Sequence, residues 1–182
     1  MEKKTIDRYF TRYKSYKSKG SVLIMSGLSR SKPDYRDLIT VACFFARLGY
    51  TALVLAPVHY KDPLYHEVFS SLIGTPYYRK CPDLMIDGVF FEYESYERPF
   101  KSRKISHMIS RGSEQAERII IDNNKGASDR FIINRIINRL KDKHFKRIIK
   151  EVFVYEKGEV RRIFYNKKIA VGSVSSPRST NP

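Results

Sequence analysis

The stretch Cys81-Pro82-Asp83-Leu84-Met85-Ile86-Asp87-Gly88-Val89-Phe90-Phe91-Glu92-Tyr93-Glu94-Ser95 decides how this chain is read. Two apolar runs flank Asp87-Gly88, the strongest short-range signal for a two-residue β-hairpin turn. With those two residues in the turn, Ile86 faces Val89, Met85 faces Phe90, Leu84 faces Phe91 and Asp83 faces Glu92. Strand alternation then sends Asp83, Glu92 and Glu94 to one side of the sheet, and Leu84, Ile86, Val89, Phe91 and Tyr93 to the other. Like charges opposed across a ladder are destabilising. Three carboxylates on one side therefore ask for a bound cation, a basic neighbour or a shared proton.

Working outward, the basic segment 1–20 predicts a short helix over Ile6–Tyr16. Ser21–Ser26 reads as a buried strand. After the loop Gly27–Lys32, Pro33 opens a helix in its favoured first turn. Leu38, Val41, Ala42, Phe45 and Leu48 recur there at helical spacing, and Gly49 stops it. Thr51–Ala56 is a second apolar strand, and Val58–Lys80 carries a short helix at Tyr65–Ile73. Lys101–Ala116 predicts a helix with Gly112 as its weak point. Ile119–Asp122 is a strand, and Asp129–Lys141 a helix capped by Ser128. Glu151–Tyr155 and Val160–Tyr165 close a last hairpin through Lys157-Gly158. The sum is an α/β fold, a mixed central sheet with flanking helices. Residues 1–20 are expected as a basic N-terminal helix or linker, 21–165 as the domain and 166–182 as a disordered tail.

The 35 Lys and Arg outweigh 19 Asp and Glu, giving a net charge of +16. That balance favours a polyanionic partner, nucleic acid (DNA or RNA) ahead of anionic lipid or simple solubilisation. No apolar run approaches the ~20 residues that span a bilayer, so no membrane role is expected. Met1-Glu2-Lys3-Lys4 opens no secretory signal, and Cys43 and Cys81 lack CxxC spacing. Both point to a cytoplasmic protein with reduced thiols.

Asp83 and Glu92, facing each other, could share a hard cation such as Mg²⁺ (or Mn²⁺), which takes oxygen ligands and often only one or two carboxylates. Such an ion neutralises a phosphodiester and lowers the pKa of an attacking water. Glu94 could be a further ligand or the base. The bland alternative is a solvated hairpin whose acids pair with nearby Lys and Arg. Asp87, about 13 Å from Asp83 along the strand, is read as a turn residue. Lys101, Arg103 and Lys104 follow the hairpin and could bind phosphate. Arg111, one turn after His107, could do the same, and Gln115 could orient substrate or cap the next loop.

Pro82-Asp83, an eight-residue gap and Glu92-Tyr93-Glu94 resemble the PD-(D/E)XK nuclease superfamily. From Asp37 to Asp122 the chain is similar to the C-terminal nuclease domain of CdiA-like contact-dependent inhibition toxins, some of which act on tRNA. The pieces that match are Asp37 with Ala42 and Gly49-Tyr50, Leu53–Leu55, Pro82–Gly88, Glu92–Glu94, Gln115-Ala116 and Ile119–Asp122. The resemblance implies a restriction-endonuclease-like core and metal-dependent phosphodiester hydrolysis. It implies Asp83 and Glu92 as metal ligands, with Glu94 and Asp37 assisting catalysis, and Asp34 competes with Asp37 for that role. The family's lysine is Glu94 here, an ExE in place of ExK, and Val58–Lys80 is an insertion. With no delivery region ahead of the domain, a secreted-toxin role is not expected. The competing expectation is a catalytically inactive nucleic-acid-binding accessory protein on the same scaffold.

Overall fold

The computed structural model describes residue 1 and residues 3–96, 102–124 and 126–167. Among the described residues, eight strands form one mixed sheet whose spatial order follows the chain. They are β1 (Phe10–Ser15), β2 (Ser21–Met25), β3 (Thr51–Val54), β4 (Leu84–Ile86), β5 (Val89–Glu94), β6 (Arg118–Asp122), β7 (Glu151–Glu156) and β8 (Glu159–Tyr165). The helices are α1 (Lys3–Tyr9), α2 (Tyr35–Arg47), α3 (Pro63–Val68), α4 (Ser102–Gln115) and α5 (Asp129–Lys141). β2–β3, β5–β6 and β6–β7 pair in parallel, each bridged by a helical crossover, and the other neighbours are antiparallel.

The central hairpin has the register its alternation predicts: Leu84 opposite Phe91, Met85 opposite Phe90, Ile86 opposite Val89. Asp87 (φ 44°) and Gly88 (φ 80°) are both left-handed, as a type I′ turn demands. Asp87 has a second task. Its Oδ1 accepts from the Thr51 amide at 2.7 Å, which ties the turn to the start of β3.

α2 lays Leu38, Val41, Ala42 and Phe45 on one face of the sheet, against Val54, Leu84, Phe91, Ile120 and Phe153. Burying each of the larger side chains contributes about 1.5–3 kcal/mol. The opposite face carries two separate cores. One packs α3 and the 3₁₀ turn Ser70–Leu72 on Leu23, Leu53 and Met85. The other packs α4 and α5 on Ile119, Ile121, Val152 and Val154. Glu92 follows Phe90 on this face and lies opposite Ile119, so it emerges in the seam between the two cores.

Pro33 lies in the turn ahead of α2, whose N-cap is Asp34, rather than in its first turn, and two further elements differ from expectation. The helix predicted over Ile6–Tyr16 ends at Tyr9, and Phe10–Ser15 pairs antiparallel with β2 instead. Only Phe10 in that strand is buried. An edge strand exposed on nearly every side chain shows no period of two, so its Lys, Arg and Tyr content passed for a helix. The helix predicted over Tyr65–Ile73 begins earlier, where Asp62 Oδ1 accepts from the Leu64 amide and Pro63 takes the first turn; it then gives way to the 3₁₀ turn. Of the expected disordered tail, residues 168–182 lie outside the described residues. Among the described residues no helix is long and apolar enough to cross a membrane.

Candidate active site

The sheet is stepped. β4 pairs with β5 only as far as Leu84–Phe91, while β5 runs on to Glu94 beside β6. At that step the Tyr93 amide has lost its strand partner, and Asp83 Oδ2 accepts from it at 3.2 Å. Asp83 Oδ1 takes a 2.6 Å bond from Lys32 Nζ. The same ammonium lies 3.4 Å from Asp34 Oδ2. Lys32 and Asp34 stand in the turn that leads from β2 into α2, with Asp34 at the helix N-cap position. One lysine thus bridges two acids that are 49 residues apart.

The two glutamates are buried deeper. Glu92 is 9% exposed and its Oε2 has no hydrogen-bond partner. Burial, and then the charges of Asp83 and Glu94, hold its carboxyl well above the ordinary range. Glu94 is 3% exposed. Burial pushes it up to about 7; Arg111 pulls against this, and Asp83 and Asp34 add to it. Arg111 Nε is 3.7 Å away, an ion pair too long for a hydrogen bond. Asp83 is also raised, by burial first, against the pull of Lys32 and the Tyr93 amide. For Lys32, burial opposes the charge, but Asp83 and Asp34 outweigh it and the ammonium is held above its ordinary value.

Gly112 explains how the cluster is roofed. A Cβ there would stand 2.8 Å from Ile119 Cγ2 and 3.3 Å from Glu94 Cγ. The residue that weakens α4 locally is what lets it lie directly on β6 and Glu94.

Asp83, Glu92 and Glu94, read from the hairpin, are brought together, and Arg111 joins them from α4. Asp37 is placed elsewhere. Its Oδ1 accepts from Tyr155 OH at 3.1 Å, among the side chains on the α2 face. Of the two α2 acids, Asp34 is the one in the cluster. Arg103 and Lys104 lie on the first turn of α4, exposed and half-buried, and Gln115 ends that helix half-buried. Lys101 lies outside the described residues. Lys32 was missed as a site residue. The sequence reads Gly27–Lys32 only as a loop, and nothing local marks a lysine that reaches 51 residues along the chain.

Chemically, the cluster offers one ammonium, one carboxyl that titrates near neutrality, and a buried carboxyl oxygen lacking a donor. Asp83 and Glu92 are the pair able to face a hard cation. Among the described residues, no three His, Cys, Asp or Glu gather as a metal-holding group.

Residues 80–160 match the family model of the contact-dependent growth inhibition CdiA C-terminal domain. The match covers just under half of the chain. It takes in the hairpin acids, α4 and Arg111, and it leaves out Lys32 and Asp34. Comparison with curated proteins finds no match, and neither does comparison with solved structures.

Proposed function

We propose that this chain is a nuclease domain of the CdiA C-terminal toxin kind, hydrolysing phosphodiester bonds of RNA or DNA in the cytoplasm on a PD-(D/E)XK, restriction-endonuclease-like core. The observation that carries the reading is Glu92: a buried carboxyl with an oxygen left without a partner, beside two further acids and one ammonium. Buried polar atoms normally find partners, so an orphaned one in an acid cluster suits a ligand. The match over residues 80–160 agrees with this.

The residues fit Mg²⁺ or Mn²⁺ held by Asp83 and Glu92 with water completing the shell, rather than a cage of three carboxylates. When bound, such an ion supplies charge neutralisation of the phosphate and a lowered water pKa. The chain supplies the rest. Lys32, whose ammonium already sits among the acids, binds a non-bridging phosphate oxygen. Glu94, titrating near 7, accepts a proton from the attacking water at its carboxyl oxygen and is poised for that at neutral pH. Arg111 holds Glu94 in place and offers a second phosphate contact. Asp34 orients Lys32, while Asp37, bonded by Tyr155, supports the fold on the α2 face. Arg103, Lys104, Gln115 and Lys101 would track the substrate backbone.

The test is cleavage of RNA and of supercoiled DNA by the full chain with Mg²⁺ and with excess chelator. Metal-dependent cutting that Glu92→Ala abolishes is expected; full activity in chelator defeats the mechanism. A second reading, a non-catalytic nucleic-acid-binding protein, is favoured by one specific observation: Lys32 and Arg111 already neutralise Asp83 and Glu94 internally. It expects salt-sensitive binding, indifferent to Asp83→Asn, and no turnover.

A further inference from the structure

A concave surface of about 490 Å³ lies along α4. Ser110 and Glu114, one turn apart, form its helix wall, next to the Arg111 that reaches Glu94. The facing wall comes from the last turn of α5 and the segment after it, through Arg139, His144, Lys146 and Arg147.

This wall is built rather than loose. Arg147 Nη1 donates to Pro76 O at 3.1 Å, and Tyr77 OH donates to Ile148 O at 3.2 Å, which fastens the segment to the loop before β4. Asp142 accepts from the His144 amide and from Arg139 Nη1, fixing the turn that presents them. The Arg139 guanidinium lies 4.9 Å from the Phe145 ring centroid, and its Nε has no acceptor. Three permanent cations, Arg139, Lys146 and Arg147, line the groove against Glu114 and the adjoining Asp142, an excess of one. Asp142 is already engaged by Arg139. Two partly exposed guanidinium groups, Arg139 and Arg147, and the exposed Lys146, held on a tethered frame, match the oxyanions of a polyanion backbone.

We infer that this groove binds a backbone phosphate of a nucleic-acid strand that crosses α4, and so sets which phosphodiester reaches the Lys32–Glu92 cluster. The positioning role rests on the proposed nuclease reading; the phosphate contact does not. The side of α4 that carries Arg111 adjoins the side that carries Ser110, so one strand can touch both.

The experiment measures binding of a fluorescent RNA hairpin by the full chain in the Glu92→Ala background, across a salt series. Arg139→Gln with Lys146→Gln is expected to weaken binding about tenfold at 0.1 M salt. It should also lower the slope of log K against log salt by about 1.4–1.8, two contacts' worth. Lys146→Glu alone changes an exposed side chain and keeps the test open should the double variant misfold; it should move both readouts in the same direction. Arg130→Gln with Lys157→Gln, exposed cations elsewhere, is the charge-matched control. Equal effects from groove and control pairs, or none from the groove pair, overturn the inference even if Glu92→Ala abolishes cleavage. A wild-type chain that cuts nothing, yet loses binding through the groove variants, retains the phosphate contact and removes the nuclease reading.

Discussion

Glu151 and Glu92 are both buried glutamates of one sheet, 1% and 9% exposed, on adjoining registers and opposite faces. Around Glu151 every demand is met. Arg118 Nε donates to one oxygen at 2.7 Å and Arg162 Nη1 to the other at 2.8 Å. Around Glu92 the demand is left open: Asp83 and Glu94 crowd it, Lys32 is committed to Asp83 and Asp34, and one oxygen has no donor. Burying a carboxylate is tolerable when it is paired and hydrogen-bonded, and costly otherwise. The first arrangement satisfies its buried charge, and the second leaves a buried oxygen unmet, which on the proposed reading is where a ligand binds.

The largest expected effect tests that division directly. Glu92→Ala should lower metal-dependent cleavage about a thousandfold or more, roughly 4 kcal/mol of barrier, while circular dichroism stays native. Cleavage retained within tenfold of wild type removes Glu92 from the chemistry.

Next comes Glu151→Ala, which leaves two arginines facing each other without their acid. It should cost about 3 kcal/mol in urea unfolding, at the low end for buried pairs because Arg118 and Arg162 are partly exposed. Activity per folded molecule should not change. A loss below 0.5 kcal/mol would mean that the two glutamates do not differ as described.

Glu94→Gln sharpens the comparison through pH. The folded carboxyl titrates near 7, against 4.5 as its ordinary value. Between those values the folded protein keeps a proton that the unfolded chain has released. Stability therefore falls as pH rises through the window and is level above it. Replacing the acid should add about 2 kcal/mol at pH 8, after allowance for screening, and close to nothing at pH 4.5. Urea midpoints of both proteins at the two pH values decide it; an equal difference at both contradicts the shift.

The smallest effect separates the two α2 acids. Asp37→Ala loses the hydrogen bond from Tyr155 and should cost about 1 kcal/mol of stability with little change in cleavage. Asp34→Ala frees Lys32 from one partner and should change the KM for substrate more than stability. The reverse pattern would return the catalytic role to Asp37.

The hairpin was legible because its signals are local and agree. Asp87-Gly88 fixes the turn, the turn fixes the register, and the register puts Asp83 across from Glu92. β1 was not, since an exposed edge strand carries no alternation to read. The resemblance read in the sequence pointed to Asp37, three residues from the acid that contacts Lys32; one turn of helix suffices to move a carboxylate from the cluster to the α2-face core.

Turn chemistry and side-chain period act between neighbours, so the sequence by itself determined the three carboxylates, their common side and, β1 apart, the α/β order of elements. The ammonium that compensates them, the arginine over Glu94 and the unmet oxygen on Glu92 belong to the tertiary structure alone. They depend on the turn after β2 meeting the start of β4 at the step in the sheet, and on Gly112 letting α4 rest on β6. Contacts across 51 residues come from packing, which leaves no periodic trace along the chain.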